Sequence, residues 1–199
     1  MTILKHLTVL ALLGTATATF AAGDPVAGEE KAALCAGCHG DDGNAAAPIF
    51  PKLAGQHKSF LVKQLHDFKS QKRVEATMNA MAEPLTDEDI QDLAAFYASK
   101  KISAETAAHN AKGESLYKAG NPSTGVPACT GCHGPNGQGN PSAGFPSLHG
   151  QYAAYLEKTL ADFKSGERAN DANNMMRQIA SHLSEEDMSA LADYASTLK

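Results

Sequence analysis

Hydrophobic side chains recur at helical spacing in two segments of the first half of the chain. The first stripe consists of Phe60, Leu61, Leu65 and Phe68, within residues 59–70. The second consists of Ile90, Leu93, Ala94 and Tyr97, within residues 86–100. A spacing of three or four residues predicts an amphipathic helix with one buried face. Thr86 and Asp89 have the spacing of an N-terminal capping pair, and a further short helix is predicted from about Val26 to residue 35.

The second half of the chain repeats this order. The stripe returns as Tyr155, Leu156, Leu160 and Phe163. The closing helix returns in residues 184–198, with Ser184 and Asp187 at its start. Between these features, the loop Phe-Pro-Lys-Leu-Ala-Gly-Gln at 50–56 returns as Phe-Pro-Ser-Leu-His-Gly-Gln at 145–151. Self-similarity over this length predicts two copies of one domain.

These patterns predict an all-α fold, because no segment alternates apolar and polar residues as a strand would. We place the first domain at residues 22–100 and the second at 113–199. Residues 101–112 lack a clear apolar pattern, which indicates a linker. Domains of this size are marginal on their own cores, so a large apolar group is expected to complete each one.

The first 21 residues are predicted to be a secretory signal peptide. Lys5 supplies the positive start, Leu7 to Leu13 form a short apolar run, and small residues precede a cleavage point after Ala21. An uncleaved membrane anchor is the alternative, but the run is far shorter than the ~20 residues that span a bilayer. The mature chain is therefore expected outside the cytoplasm, in the periplasm of a Gram-negative bacterium.

Composition and charge narrow the class of partner. The chain carries a formal net charge of −5 at pH 7 and has no basic run, so nucleic-acid binding is not expected. An acidic protein of this kind usually meets its partners through a local patch of opposite charge.

All four cysteines belong to two C-x-x-C-H pentads. The first runs from Cys35 through Cys38 to His39, and the second, 94 residues later, from Cys129 through Cys132 to His133. This pattern is typical of covalent c-type haem attachment. Two thiols one helical turn apart can reach the two vinyl groups of a porphyrin, and the histidine can then bind the iron. The pentads predict two covalently bound haem c groups.

The pentads allow two other interpretations. Two C-x-x-C pairs could hold one zinc ion, but a zinc site does not need a histidine after each pair. A thioredoxin-like redox pair needs a βαβ context, which the sequence lacks.

The second axial ligand of each iron decides between an electron carrier and a ligand-binding haem. The candidates are Met78, Met81, His57 and His66 in the first copy, and Met175, Met176, Met188, His149 and His182 in the second. In the repeat register only Met78 and Met176 coincide, each seven residues before a leucine. They are the predicted distal ligands, with Met81 and Met175 as the neighbouring alternatives.

Methionines more often fill gaps in a core, and Met188 falls on the core position Ile90 in the repeat register. Met78 and Met176 instead lie in polar stretches, which indicates a loop pressed against an apolar group. The remaining histidines, including His109, are predicted to be surface or loop residues.

Taken together, these residues resemble class I c-type cytochromes, twice over. Over residues 22–199 the chain is similar to the dihaem cytochrome c4 family, through both pentads, the Phe-Pro-x-Leu-x-Gly-Gln loops, the paired methionines and the closing helices. The resemblance implies that the carbonyls of Pro51 and Pro146 accept hydrogen bonds from His39 and His133. The two copies differ by three residues before Met78 and Met176, so the geometry of that segment is left open.

The expected function is electron transfer, with two six-coordinate irons and no open site for a substrate. The resemblance implies electron flow from respiratory donors, such as a quinol-oxidising complex, to a haem–copper terminal oxidase, often with loose attachment to the membrane. One alternative is the dihaem subunit of a larger oxidoreductase, for example with a flavoprotein that oxidises sulfide. Another is a dihaem peroxidase, which the symmetric methionines disfavour.

Overall fold

The computed structural model describes residues 23–104 and 108–199. The first segment forms α1 (Pro25–Lys31), α2 (Ala36–His39), α3 (Lys58–Lys69), α4 (Ala76–Ala82) and α5 (Asp87–Ser99). The second forms α6 (Ala111–Ala119), α7 (Thr130–His133), α8 (Ala153–Ser165), α9 (Met175–Ser181) and α10 (Glu185–Thr197). Within these segments, extended backbone pairs only at two isolated bridges, Asn121 with Val126 and Asn140 with Phe145. The predicted all-α fold is confirmed, while the predicted signal peptide lies outside the described residues.

The last helix of each domain begins at a capping box. The Thr86 hydroxyl accepts the Asp89 backbone N–H at 3.1 Å, and the Asp89 carboxylate accepts the Thr86 backbone N–H at 2.9 Å. Ser184 and Asp187 make the same exchange at the start of α10. Each pair satisfies N–H groups that the first helical turn leaves without partners, so the capping predicted from the sequence is confirmed.

The first and last helices of each domain cross at a glycine. A Cβ atom on Gly28 of α1 would lie 2.1 Å from the carbonyl oxygen of Asp92 in α5. A Cβ on Gly113 of α6 would lie 1.9 Å from the carbonyl oxygen of Ala190 in α10. Both distances are far inside van der Waals contact, so these crossings require residues without a side chain.

Each domain has its own small core. The first core consists of Ala32, Leu61, Leu93, Ala94, Phe96 and Tyr97. The second includes Leu116, Tyr117, Leu156, Leu183, Met188 and Leu191. Helices α3, α5, α8 and α10 supply most of these side chains, and those on α3, α5 and α8 follow the predicted spacing. Met188 is buried like Ile90, its counterpart in the repeat.

The segment between the domains is tied to the first domain where the structure describes it. The side chain of Asn44 donates to the Lys101 carbonyl at 3.0 Å and accepts the Ser103 backbone N–H at 2.8 Å. Helix α6 begins at Ala111, two residues inside the predicted linker, because the Asn110 side chain caps it by accepting the Gly113 N–H at 3.0 Å. No helix in the described segments has the length and apolarity needed to cross a bilayer.

Candidate haem sites

Each pentad forms a single short helical turn. The backbone N–H of His39 donates to the carbonyl of Cys35 at 2.9 Å, and His133 repeats this bond to Cys129 at 2.9 Å. All four cysteines are free thiols of intermediate exposure. The turn therefore presents two thiols and one imidazole from the same short stretch of backbone in each domain.

Both pentad histidines are buried and held in one orientation. His39 is 6% exposed and His133 is 8% exposed. The Nδ1 atom of His39 lies 2.9 Å from the carbonyl oxygen of Pro51, and that of His133 lies 2.9 Å from the carbonyl oxygen of Pro146. A carbonyl can only accept, so each Nδ1 carries the proton and each Nε2 keeps a lone pair. Burial lowers the pKa of both imidazoles, which favours the neutral form that binds metals.

The first cysteine of each pentad is not activated for thiol–disulfide exchange. Burial raises the pKa of Cys129 to about 11 and also raises the pKa of Cys35. A catalytic C-x-x-C pair needs the opposite, a thiol whose pKa is lowered so that the thiolate forms near neutral pH. These environments disfavour the thioredoxin-like interpretation. No group of three or more potential protein ligands for a metal ion occurs among the residues described.

The predicted distal methionines lie in short helices, so the loop expected around them is wrong. Met78 is the third residue of α4, which begins because the Glu75 side chain accepts the Met78 backbone N–H at 2.7 Å. Met176 is the second residue of α9. Met78, Met175 and Met176 are partly buried, whereas Met81 is among the exposed large hydrophobic residues.

The residue after each paired methionine fixes the start of its helix. The side-chain amide of Asn79 donates to the Phe68 and Arg73 carbonyls at 2.7 and 2.8 Å. At the matching position, the Arg177 guanidinium donates to the Asp171 carboxylate at 2.7 Å. The two domains thus anchor equivalent turns with different side chains.

The three extra residues of the second copy are taken up before α9. A 3-10 turn, Ala172–Asn174, occupies this position, and Asn173 and Asn174 have φ angles of 53° and 59°. Asparagine tolerates this left-handed region better than most residues. The insertion therefore stays local.

Two arginine side chains lie where the domains meet, Arg73 partly buried and Arg168 buried. Arg73 donates to the Gln64 amide oxygen at 2.9 Å and to the Tyr155 hydroxyl at 3.1 Å. Arg168, 7% exposed, donates to the same Gln64 oxygen at 3.1 Å. Burial and the charge of Arg73 lower the pKa of Arg168 to about 10. Although burial raises the pKa of Tyr155, the two cations lower it to about 8.

No carboxylate forms an ion pair with either guanidinium within residues 23–104 and 108–199. A buried cation normally has an anionic partner, so Arg168 would suit an anionic group such as a propionate of a bound porphyrin. Two thiols, an oriented imidazole and a partly buried methionine in each domain complete the match to haem c. The residues present therefore fit the group that the pentads predict.

The domains also meet through their repeated loops. The Gln56 side chain exchanges two hydrogen bonds with the backbone of Ser147, both at 2.9 Å. The Gln151 side chain exchanges two with the backbone of Lys52, at 3.0 and 2.8 Å. These glutamines were not among the predicted functional residues, although their shared place in the two loops was a usable signal.

One of the histidines predicted to be surface or loop residues, His57, takes part in the same interface, whereas His149 bonds within its own domain. The His57 Nε2 atom lies 2.7 Å from the carbonyl oxygen of Gln138 in the other domain. The His149 Nδ1 atom lies 2.6 Å from the Ser147 hydroxyl. His66 and His109 instead lie beside surface carboxylates, those of Asp87 and Glu114.

Known proteins share this arrangement. The sequence model of the cytochrome c family matches residues 26–101 and 110–199. The chain is 48% identical to cytochrome c4 of Pseudomonas aeruginosa over 189 residues, which covers 94% of each chain. It is 36% identical over 199 residues to a thiosulfate dehydrogenase electron acceptor of Thiomonas intermedia, covering 96% of this chain and 88% of that one.

A solved structure shows the same fold. The crystal structure of reduced recombinant cytochrome c4 from Pseudomonas stutzeri superposes with a TM-score of 0.87 at 46% identity. The match covers 89% of this chain and all (100%) of that one. The repeated pentads, the two helical domains and these likenesses agree, and the chain belongs to the cytochrome c4 family, electron carriers with two cytochrome c domains and two haem c groups.

Proposed function

We propose that this chain carries electrons in the periplasm, with His39 and Met78 as the axial ligands of one iron and His133 and Met176 as those of the other. The haem thioethers are assigned to Cys35 and Cys38 in the first domain and to Cys129 and Cys132 in the second. When bound, each haem supplies an iron that gains or loses one electron. The observation that carries the proposal is the pair of buried histidines, each with Nδ1 held 2.9 Å from a proline carbonyl.

The protein's contribution is to keep each iron in one geometry. Pro51 and Pro146 fix the orientation of the two imidazoles, and a hydrogen bond of this kind increases the electron donation of the ligand nitrogen. Methionine thioethers bound to the irons would raise their reduction potentials. With both axial positions filled, neither iron offers a site to a substrate, so peroxidase activity is not expected.

Replacing the methionines tests the ligand assignment. We expect Met78→Leu and Met176→Leu each to abolish half of the sulfur-to-iron absorption band of the oxidised protein and to open one iron per chain to carbon monoxide. Met81→Leu and Met175→Leu are the matched controls and should keep the full band. If a control variant lost half of the band while the matching Met78→Leu or Met176→Leu variant kept it, the control methionine would be the ligand instead. Carbon monoxide binding by the wild type would contradict the proposal that both irons are six-coordinate.

We further propose that the donors are respiratory, such as a quinol-oxidising complex, and that the acceptor is a haem–copper oxidase, with the leader at residues 1–21 removed on export. Loose attachment to the inner membrane is part of this proposal. Support comes from the family and from the apolar run and small residues of the leader. The mass of the mature protein from a periplasmic fraction tests the export step, and oxidation of the reduced protein by oxidase-containing membranes tests the acceptor.

A second candidate function is the same electron transfer with a different partner protein. The relative from Thiomonas intermedia is a thiosulfate dehydrogenase electron acceptor, which supports a dihaem subunit or acceptor serving a sulfur-compound oxidoreductase, a flavoprotein sulfide dehydrogenase being one such enzyme. Gel filtration of a native extract separates the cases. A free carrier elutes near the size of one chain, whereas a subunit elutes with its enzyme.

A further inference from the structure

The peptide group between Pro51 and Lys52 is hydrogen-bonded at both ends. Its carbonyl faces His39 Nδ1 at 2.9 Å, within the first domain. Its N–H, on Lys52, donates to the side-chain oxygen of Gln151 at 3.0 Å, from the second domain. One amide plane thus connects the imidazole of one domain to a side chain of the other.

The second domain has the mirror arrangement. The carbonyl of Pro146 faces His133 Nδ1 at 2.9 Å, and the N–H of Ser147 donates to the side-chain oxygen of Gln56 at 2.9 Å. Each glutamine also donates to the next carbonyl of the opposite loop. The exchange is therefore reciprocal across the domain interface.

Both peptide groups lie in buried surroundings. Lys52, Ser147 and Gln151 are buried, and Gln56 is partly buried. Hydrogen bonds in a chain polarise one another, and low local dielectric strengthens them. An acceptor on the amide N–H makes the carbonyl oxygen of the same amide more negative. That carbonyl then draws the Nδ1 proton of the histidine more strongly, so the Nε2 atom becomes a better donor to a metal.

We propose that Gln151 and Gln56 are positioning residues that each lower the reduction potential of the haem in the opposite domain. The inference rests on the proposed function, because it takes His39 and His133 as iron ligands. A better donor nitrogen stabilises the more highly charged ferric state, which lowers the potential. The domain interface is thereby part of the ligand environment of both irons.

Crossed substitutions test the proposal in the full-length dihaem protein. We expect Gln151→Met to raise the midpoint potential of the haem at Cys35 and Cys38, and to shift the other haem less. Gln56→Met should do the reverse. The methyl resonances of the two ligand methionines, assigned with Met78→Leu and Met176→Leu, report the redox state of each haem separately in an NMR-monitored titration.

A second measurement is independent of the potential. The NMR shift of the His39 Nδ1 proton should move upfield in Gln151→Met, as expected for a weaker hydrogen bond, and that of His133 should not. The matched control is Ser59→Ala, which removes another bond across the interface, from the Ser59 hydroxyl to the Pro141 carbonyl at 3.1 Å. The control should leave both proton shifts and the difference between the two potentials unchanged.

The outcomes separate the two proposals. The inference is overturned if the absorption spectra still show two histidine–methionine haems and either of two results is found. One is that each variant shifts the midpoint potentials of both haems equally. The other is that each variant shifts only the potential of the haem in the domain that carries the substitution. Wild-type protein whose spectra lack those ligands overturns the proposed function instead.

Discussion

One lysine on the first helix of each domain binds the capping aspartate of the last helix. The Lys31 ammonium lies 2.8 Å from the Asp89 carboxylate, and the Lys112 ammonium lies 2.8 Å from the Asp187 carboxylate. The lysines occupy different places in the repeat, since Lys31 follows Gly28 and Lys112 precedes Gly113. The two domains therefore use the same capping aspartate as the partner of the lysine, although the lysine stands at a different position in each repeat.

This contact predicts a pH-dependent contribution to stability. The hydrogen bond from Lys112 and the capping bond from Ser184 lower the pKa of Asp187 to about 2, against about 3.9 for an unfolded aspartate. A lowered pKa stabilises the fold above pH ~4 and loses that effect as the pH falls towards 2. Thermal unfolding should therefore show Lys112→Met less stable than wild type at pH 6, with the difference closing by pH 2.

Lys72→Met, at an exposed position of the first domain, is the control, because it changes the net charge equally. It should lower the melting temperature little at either pH. If Lys112→Met differed from wild type by the same amount at pH 6 and pH 2, the ion pair would not be the cause.

At the scale of elements, the glycine crossings hold the terminal helices of each domain together. In Gly113→Ala the new methyl group would lie 1.9 Å from the Ala190 carbonyl oxygen. Because that neighbour is backbone, α6 and α10 must move apart, and such overpacking typically costs about 1–3 kcal/mol. Chemical denaturation should show this loss, and Ser115→Ala, on the exposed face of α6, should stay within about 0.5 kcal/mol of wild type. A fully stable Gly113→Ala protein would mean that the crossing adjusts freely.

The helices differ in how well the sequence predicts them. The helices α3 and α5 were predicted within one residue at each end, because their apolar stripes and the cap at Thr86 are local features. The helix α4 was predicted as a loop, since seven residues carry too little periodicity for a stripe. Its formation depends on Glu75 as a cap and on bonds from Asn79 to more distant carbonyls.

At the scale of the whole molecule, the interface between the two domains was the feature hardest to predict from the sequence. The sequence patterns predict two domains but not the polar residues that join them. Gln64 and Asn170 are unremarkable polar residues of a helix and a loop, and they meet across 106 positions of sequence. Pairing over such a distance depends on tertiary packing, which no local pattern encodes. The repeated spacing of Arg73 and Arg168 after Phe68 and Phe163 was an available signal, as was the repeated loop position of the two glutamines.

Asn170 is one of the buried side chains that join the two domains. It is 2% exposed, and its side-chain amide donates to Gln64 at 3.0 Å and to Asp67 at 2.7 Å, both in the first domain. Asn170→Ala would leave buried acceptors short of a donor, at a cost of about 1–3 kcal/mol. The lost bonds join the two domains. Calorimetry should therefore show a single unfolding transition for the wild type and two transitions for Asn170→Ala. The exposed Asn136→Ala control should keep a single transition, and an unsplit transition in Asn170→Ala would show that other contacts suffice to couple the domains.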